Sequence, residues 1–127
     1  MTSPLDAYFA ALDAGDDAAA TACFAADATY IRPALETAGL DVISGRDRIA
    51  EFLELRRERQ RQGEYAHRHE LRSAAVEARE CFVEADMVAD TGTVGIFMAH
   101  ATFDDDGLIA RYIAIMAALP DGALKAS

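Results

Sequence analysis

Apolar side chains in the first part of the chain recur at the spacing of an α-helix. Those that share one helical face are Leu5, Tyr8, Phe9 and Leu12. Ser3 and Asp6 have the spacing of a capping box, and Pro4 suits the first helical position. Gly15 suits the left-handed conformation that ends many helices. The pattern therefore predicts a first helix that begins at Pro4 and ends at Gly15.

The next residues predict a short helix followed by a strand. An alanine-rich segment begins at Asp16 or Asp17 and runs to about Phe24, which is typical of a short helix. Residues 28–32 are rich in the aromatic and β-branched side chains that favour a strand. Residues 34–43 show no clear period, and we predict a loop there.

A third helix is predicted from residue 44 onwards. Ser44 and Asp47 repeat the capping pattern. The buried stripe of this helix consists of Ile49, Phe52 and Leu53. Residues 56–62 carry four arginines, which suit the negative end of the helix dipole. We interpret this run as a solvated helix face, with nucleic-acid binding as the weaker alternative.

The second half of the chain has the pattern of antiparallel strands. The predicted strands are 65–76, 81–89, 93–103 and 108–116, and the turns fall at 77–80, 90–92 and 104–107. Asp105, Asp106 and Gly107 form a hairpin signal because glycine adopts the positive φ that such turns need. The order α-α-β-α-β-β-β-β places the chain in the α+β class.

Composition and charge restrict the possible partners and the compartment. The formal net charge is −10, which argues against nucleic acid and against an anionic membrane as partners. The start of the chain has no basic and apolar pattern of a signal peptide, so we expect a cytoplasmic protein. Cys23 and Cys81 do not suggest a disulfide scaffold. We expect one domain over 1–127, with 120–127 as a flexible tail.

Four segments in this order resemble the SnoaL-like and ketosteroid isomerase-like branch of the nuclear transport factor 2-like superfamily. They are 8–16, 24–30, 45–53 and 102–109. The resemblance implies a cystatin-like α+β roll, in which a cone-shaped, curved antiparallel β-sheet wraps around three helices. It also implies a deep apolar pocket for a small hydrophobic molecule and a homodimer formed through the sheet. Apolar residues such as Ile96 and Met98 on the outer sheet face favour that dimer.

The resemblance does not extend to the acids of ketosteroid isomerases. In those enzymes a first-helix Tyr and a late Asp donate hydrogen bonds to an enolate, and a second Asp moves the proton. Tyr8 matches the Tyr, but Arg32 stands at the proton-moving Asp and Ala99 at the other. Ala114 stands where SnoaL-type cyclases carry an Asp. Ordinary ketosteroid isomerase activity is therefore not expected.

The chain is more similar to scytalone dehydratase-like and bile-acid dehydratase-like relatives. That resemblance implies that Tyr8, Asp13 and His69 form the catalytic set, with His69 as the proton-transfer residue and His67 as its substitute. A histidine transfers protons near neutral pH, a tyrosine polarises a carbonyl, and an aspartate orients the histidine. The alternatives are that Asp13 is a polar residue near a helix end and that the histidines are structural.

The remaining candidates are residues expected to line the pocket. They are Tyr30, Arg32, His67, Phe97, Ala99, Tyr112 and Met116. Arg32 either binds a carboxylate, phosphate or enolate oxygen in the pocket or pairs with a surface acid. Alternation along the strand favours an outward position for Glu84 and Asp86, although a one-residue slip would place both carboxylates in the pocket.

We predict neither a metal nor a cofactor. His67 and His69 share a strand face and could chelate a metal, but no third ligand lies at a convincing spacing. Two classes of function remain open. The first is a cofactor-independent dehydratase, isomerase or cyclase that acts by proton transfer on a hydrophobic oxygenated molecule of polyketide, terpenoid or steroid type. The second is a non-catalytic ligand-binding or dimerisation module of the same fold.

Overall fold

The computed structural model describes residues 3–34, 38–62 and 68–119. Its helices are α1 (Asp6–Ala14), α2 (Asp17–Ala22) and α3 (Arg46–Arg61). Its strands are β1 (Phe24–Pro33), β2 (Leu40–Ser44), β3 (Arg68–Glu77), β4 (Glu80–Ala89), β5 (Gly92–Phe103) and β6 (Ile109–Ala118). His67 and the expected tail over 120–127 lie outside the described residues.

The six strands form one sheet in the order β2-β1-β6-β5-β4-β3. The helices pack on its concave face, so the predicted α+β roll is confirmed. One detail differs from the expected antiparallel sheet, because β1 runs parallel to β6. All other neighbouring strands pair antiparallel. Sequence periodicity does not report the direction in which distant strands pair, so the parallel pair could not be foreseen.

Helix α1 ends at Gly15 as predicted, but it begins at Asp6 with Leu5 as its N-cap, two residues after the predicted start at Pro4. Ser3 and Asp6 still form capping-box contacts in the turn before the helix. The Asp6 carboxylate accepts a hydrogen bond from the Ser3 N–H at 3.0 Å, and the Ser3 hydroxyl accepts one from the Leu5 N–H at 2.9 Å. At the other end Gly15 has φ +71° and donates its N–H to the Leu12 carbonyl. Asp16 then caps α2, where its carboxylate accepts the Ala19 N–H at 3.1 Å.

Two local predictions around residue 44 are wrong. The segment predicted as a loop contains β2, which pairs with β1 at the sheet edge. The side chains of β2 are mostly exposed, so it carries no apolar alternation that would reveal it. Ser44 is the last residue of β2 and does not cap α3. The cap is Gly45, whose φ of +92° suits a residue without a Cβ.

The late strands lie within a few residues of their predicted bounds. The turn between β5 and β6 is closed by Asp104, whose carboxylate accepts the N–H groups of Asp106 and Leu108, each at 2.9 Å. Gly107 follows with φ +78°, as the hairpin signal predicts. Short hairpins join β3 to β4 and β4 to β5, and this turn joins β5 to β6.

The strand phase of β4 settles the position of its two acids. Alternate residues of the strand are buried, namely Cys81, Val83, Ala85 and Met87. Glu84 and Asp86 therefore point to the outer face, where Asp86 pairs with Arg72 at 2.8 Å. This confirms the favoured phase and places both carboxylates away from the concave side.

Cys81 and Cys23 are free thiols.

None of the helices in the described ranges combines the length and apolar character that crossing a bilayer requires.

Gly95 provides a test of how tightly the concave side of β5 is packed. A Cβ built on this buried residue would overlap the terminal methyl group of Met87 and lie 2.8 Å from the Ala117 carbonyl oxygen. We expect Gly95→Ala to lower the free energy of unfolding by about 1–3 kcal/mol, since overpacking forces neighbours to move.

Urea denaturation would measure this loss, with Thr93→Ala on the exposed part of β5 as the matched control. Adding Met87→Leu should recover part of the loss, because it removes one of the two overlaps. Unchanged stability in Gly95→Ala alone would contradict the packing described for this position.

Candidate functional site

A cavity of about 380 Å³ lies between α3 and strands β1 and β6. It is lined by Tyr30, Arg32, Pro33, Ala34, Asp41, Phe52, Leu55, Arg56, Arg59, Ala114 and Met116. Most of this lining is apolar, which is typical of small-molecule pockets, and the volume is within their usual range. Four of the sequence candidates line it: Tyr30, Arg32, Met116 and, as the residue that replaces the cyclase Asp, Ala114.

Three arginines give the cavity a cationic side. Arg32 extends from β1 with its guanidinium carbon 5.0 Å from the ring centroid of Phe52. Arg56 and Arg59 project from α3. Asp41 is the one acid among the described lining residues, and it pairs in strand register with Arg32. Arg32 is thus a lining residue of the cavity, the first of the two positions that the sequence leaves open.

Sequence reasoning missed Phe52 and the α3 arginines as pocket residues. The sequence pattern places Phe52 in the buried stripe of α3 and predicts a solvated face for the arginine-rich residues 56–62. A signal was present, since Phe52, Arg56 and Arg59 are spaced i, i+4, i+7 and share one side of the helix. Asp41 was missed because it lies in the segment interpreted as a loop.

Three tyrosines form an aromatic cluster beside the cavity. Tyr8 of α1 packs with Tyr112 of β6 at a centroid distance of 5.3 Å, and Tyr112 packs with Tyr30 of β1 at 4.9 Å. Phe24 completes the cluster at 5.1 Å from Tyr8. Tyr112 and Tyr8 are each 1% exposed, so their phenols are almost completely removed from water.

Burial raises the pKa of all three phenols above that of a tyrosine in water. For Tyr8 and Tyr112 the pKa is raised well above its ordinary value, with the neighbouring phenols adding to the effect of burial. The charge of Arg56 acts in the opposite direction on the pKa of each. The Tyr8 hydroxyl interacts with that of Tyr30 but makes no hydrogen bond of full geometry.

The structure brings Asp13 and His69 into direct contact. The Asp13 carboxylate lies 2.8 Å from Nδ1 of His69 through Oδ1, and Oδ2 accepts the His69 backbone N–H at 2.9 Å. This pair joins the last turn of α1 to the first part of β3. An acid at that end of a helix is disfavoured by the dipole, and its bonds to His69 supply a compensating reason for its presence.

The His69 ring is enclosed by aromatic side chains. Its side chain is 3% exposed and stacks on Phe9 at 5.0 Å, while Phe97 meets it edge-on at 4.8 Å. Phe97 is in turn the strand partner of Met116, which lines the cavity. One aromatic residue therefore lies between the histidine and the cavity wall.

Tyr8, Asp13 and His69 are predicted to converge at the pocket; Asp13 and His69 contact each other, but neither of them lines this cavity. Within residues 3–34, 38–62 and 68–119, no hydrogen bond or ring contact joins Tyr8 to His69, and neither residue lines the cavity. Phe97, Ala99 and Tyr112 are buried on the concave face, as expected, but lie behind the cavity lining.

Metal ligands do not gather in the part of the chain that the structure describes. No group of three histidine, cysteine, aspartate or glutamate side chains converges there. His69 is bound to Asp13, and His100 is bound to Glu80 at 2.9 Å on the outer face of the sheet. The outward phase of His100 agrees with the sequence interpretation.

The outer face of the sheet carries an apolar groove. It has a volume of about 390 Å³ and is lined by residues of strands β3 to β6. Three large apolar side chains on it are more than half exposed: Phe82 at 58%, Met98 at 54% and Ile115 at 55%.

Comparison with known proteins agrees with this architecture. Residues 5–112 match the family model of the SnoaL-like domain. No curated protein matches the sequence.

Three solved structures illustrate the likeness. A protein of the SnoaL-like family from Agrobacterium tumefaciens, proposed to be an isomerase, is 15% identical, with a TM-score of 0.68 over 90% of this chain and 94% of that chain. A protein from Sinorhizobium meliloti, proposed to be a polyketide cyclase, is 21% identical, with a TM-score of 0.67 over 90% and 94%. An NTF-2 like protein of unknown function from Burkholderia xenovorans is 17% identical, with a TM-score of 0.68 over 93% and 83%. Because these structures are only 15–21% identical in sequence to the chain, the likeness establishes a shared fold and nothing further.

The buried phenols predict a loss of stability at alkaline pH. Because the folded pKa of Tyr8 and Tyr112 is raised, the unfolded chain loses these protons first, from about pH 10 upwards. The contribution of these phenols to the free energy of unfolding should therefore be constant below this pH and fall above it.

Urea denaturation at a series of pH values from about 8 to about 11 would measure the fall. Tyr8→Phe should weaken the pH dependence while keeping the neutral-pH stability, since the Tyr8 hydroxyl has no full hydrogen bond to lose. An equally steep fall in this variant would contradict the assigned cause.

Proposed function

The chain belongs to the SnoaL-like domain family, and we propose that it is a cofactor-independent enzyme that moves a proton on a hydrophobic oxygenated molecule. The reaction is of the dehydratase, isomerase or cyclase type. Relatives of the same fold proposed to be a polyketide cyclase and a ketosteroid isomerase make this reaction class reasonable. The choice still rests on the site, because one fold supports many chemistries.

The Asp13–His69 pair is the observation that carries the proposal. A carboxylate bound to Nδ1 of a histidine fixes the tautomer and ring orientation and stabilises the imidazolium that forms when the ring accepts a proton. Phe9 and Phe97 hold the ring from two sides, which excludes water from it. In the proposed mechanism the ring exchanges protons through Nε2, the nitrogen that does not contact Asp13.

The proposed chemistry begins with removal of a proton α to a carbonyl. The electrons of the C–H bond form the enolate double bond, the carbonyl oxygen takes the negative charge, and His69 accepts the proton. Return of the proton to a different carbon gives isomerisation, and its delivery to a leaving hydroxyl gives dehydration with release of water. Asp13 remains ionised throughout and balances the charge on the ring.

The tyrosine cluster and Arg56 suit the stabilisation of negative charge. Tyr30 lines the cavity; burial raises the pKa of its phenol, and the Tyr8 hydroxyl and the charges of Arg56 and Arg32 partly oppose that rise. A phenol in that setting donates a strong hydrogen bond to an enolate oxygen. Phe97 is buried between the cavity and His69, so the proposed arrangement requires the Phe97 side chain to move before the substrate reaches the ring.

A non-catalytic pocket protein is the second candidate. The observation in its favour is that Asp13 binds both the ring and the backbone N–H of His69, as a structural clamp between α1 and β3 would. Ala99 and Ala114 at the positions of the family's acids agree with a lost reaction.

Exchange of carbonyl α-protons tests the catalytic proposal without the natural substrate. The probe is 2-tetralone in D2O, and proton NMR follows the loss of its α-proton signals. We expect the protein to accelerate exchange over buffer and His69→Gln to reduce the acceleration by about 100-fold or more, the range for a lost general base. Asp13→Asn should reduce it less, because the base remains but loses its orienting partner.

His100→Gln is the matched control, since this histidine also binds a carboxylate but lies on the outer sheet face. Circular dichroism checks that each variant folds. Exchange that persists in His69→Gln would contradict the catalytic assignment. No exchange in the native protein, together with a lower melting temperature in Asp13→Asn, would favour the clamp.

The outer groove supports a homodimer formed through the sheet. Met98 pairs in register with Ile115, and Phe82 with His100, so these apolar side chains form one continuous surface on adjacent strands. A second copy placed about a two-fold axis would bury the same surface on both subunits. Exposed apolar surface of this kind is typical of an interface.

Charge placed in the groove should therefore disrupt the dimer. We expect sedimentation velocity to show a dimer for the native protein and a monomer for Met98→Asp, because an unpaired buried charge at an interface costs several kcal/mol. Leu40→Asp is the matched control, as Leu40 is 61% exposed but belongs to the edge strand β2. A monomeric native protein at all accessible concentrations would exclude the dimer.

A further inference from the structure

We infer that the substrate of the cavity carries a carboxylate, which Arg32 and Arg56 bind. This inference deepens the proposed function, since it names the class of molecule that the same site accepts. The inference concerns the end of the substrate that Arg32 and Arg56 bind, and not the carbon from which a proton is removed. The substrate class is then a hydrophobic carboxylic acid with a second oxygenated centre.

The local charge of the cavity opposes the charge of the whole chain. The protein has 22 acidic and 12 basic residues. Around the cavity the ratio is reversed, with Arg32, Arg56 and Arg59 against the single described acid Asp41. Arg32 and Arg56, placed at an apolar cavity of an otherwise acidic protein, attract an anion to that point.

Five arginines pair with acids: Arg57, Arg61, Arg68, Arg72 and Arg79. Among the described arginines without an ion pair, Arg32 and Arg56 are the ones that line the cavity. In the described part of the chain, Arg32 and Arg56 have no ion pair, and both are half-buried. A guanidinium that is partly removed from water without an acidic partner gains more from a bound anion than an exposed one.

Both side chains are placed by their surroundings. Arg32 is held over the face of Phe52 by a cation–π contact, which orients the planar guanidinium and leaves its edge for a ligand. Arg56 lines the cavity beside the aromatic cluster, and its charge opposes the rise that burial causes in the pKa of Tyr8, Tyr30 and Tyr112. Arginine is suited to this role because its fork binds a carboxylate through two parallel hydrogen bonds.

The rest of the lining favours a carboxylate over a phosphate. Phe52, Leu55, Ala114 and Met116 form an apolar wall for a hydrocarbon body. The carboxylate of Asp41 repels a doubly charged phosphate more than a singly charged acid. No helix N-terminus is among the described lining residues, although such termini commonly bind phosphates.

The topology adds a requirement on length. Arg32 is on β1 and His69 is on β3, and these strands are separated by β6, β5 and β4. Four strand spacings correspond to roughly 19 Å along a flat sheet, and the direct path across a concave face is shorter. A molecule that reaches both residues is therefore elongated, with its acid at one end and its reacting carbonyl towards the other.

A matched pair of probes tests the carboxylate assignment. The probes are 2-naphthoate and 2-naphthamide, which have the same ring system but differ in charge, and isothermal titration calorimetry measures their dissociation constants. We expect the native protein to bind the carboxylate about tenfold or more tighter, as a charge-assisted hydrogen bond contributes about 1.5–3 kcal/mol. Arg32→Gln and Arg56→Gln should each bring the ratio of the two constants close to one, and added salt should reduce it.

Arg48→Gln is the control, because Arg48 is an exposed arginine on the same helix as Arg56 and does not line the cavity. Arg32→Lys keeps the charge without the fork and should give an intermediate ratio, so the inference can be tested even if a glutamine variant fails to fold. Equal affinities for both probes in the native protein, or an unchanged ratio in the arginine variants, would overturn it. Tighter binding of 2-naphthyl phosphate than of 2-naphthoate would also overturn it.

The His69→Gln variant separates this inference from the proposed function. If the arginines bind the carboxylate, this variant should retain the native preference for 2-naphthoate even though it no longer exchanges the protons of 2-tetralone. If the native protein exchanges the protons of 2-tetralone but does not prefer 2-naphthoate to 2-naphthamide, the inference of a carboxylate substrate is wrong and the proposed reaction class stands. If the native protein prefers 2-naphthoate but does not exchange the protons of 2-tetralone, the carboxylate site stands and the proposed reaction is wrong.

Discussion

The packing of Tyr8 between Phe24 and Tyr112 is the contact on which the rest of the structure depends. These three rings come from α1, β1 and β6, so one aromatic cluster fixes the first helix on the two parallel strands. The cavity follows from it, because Tyr30 of the same cluster forms the cavity's inner side while α3 covers the outer side. Burial of three phenols also concentrates hydroxyl groups where the surrounding surface is apolar.

The concave face divides into two chemically different ends. Near β1 and α3 it offers cations and a phenol beside an open apolar cavity. Near β3 it offers a histidine that is held by a carboxylate and enclosed by rings. Phe97 and Met116 connect the two ends through adjacent strands. Because the two ends lie on different strands and share few partners, a substitution at one end need not alter the other.

The sequence predicted those elements whose signals are local. Leu5, Tyr8, Phe9 and Leu12 share a helical face in any surrounding structure, and Gly107 ends a turn through its own backbone freedom. It did not predict β2, because an exposed edge strand such as Leu40–Ser44 lacks apolar alternation. The contact of Asp13 with His69 was expected from family resemblance, since no periodic pattern joins residues that far apart in sequence. Arg56 and Arg59 were misjudged because a charged helix face looks the same whether it meets water or a cavity.

The parallel pairing of β1 with β6 has a consequence for synthesis of the chain on the ribosome. Phe24 is paired with Ile109, so most of the protein must be translated before β1 finds its second neighbour. At about 5–20 residues per second, the delay is on the order of ten seconds. During this interval the open edge of β1 can join the strands of other nascent chains. Early pairing with β2 covers only the opposite edge, so chaperone protection in this interval matters more for this topology than for one built only from sequential hairpins.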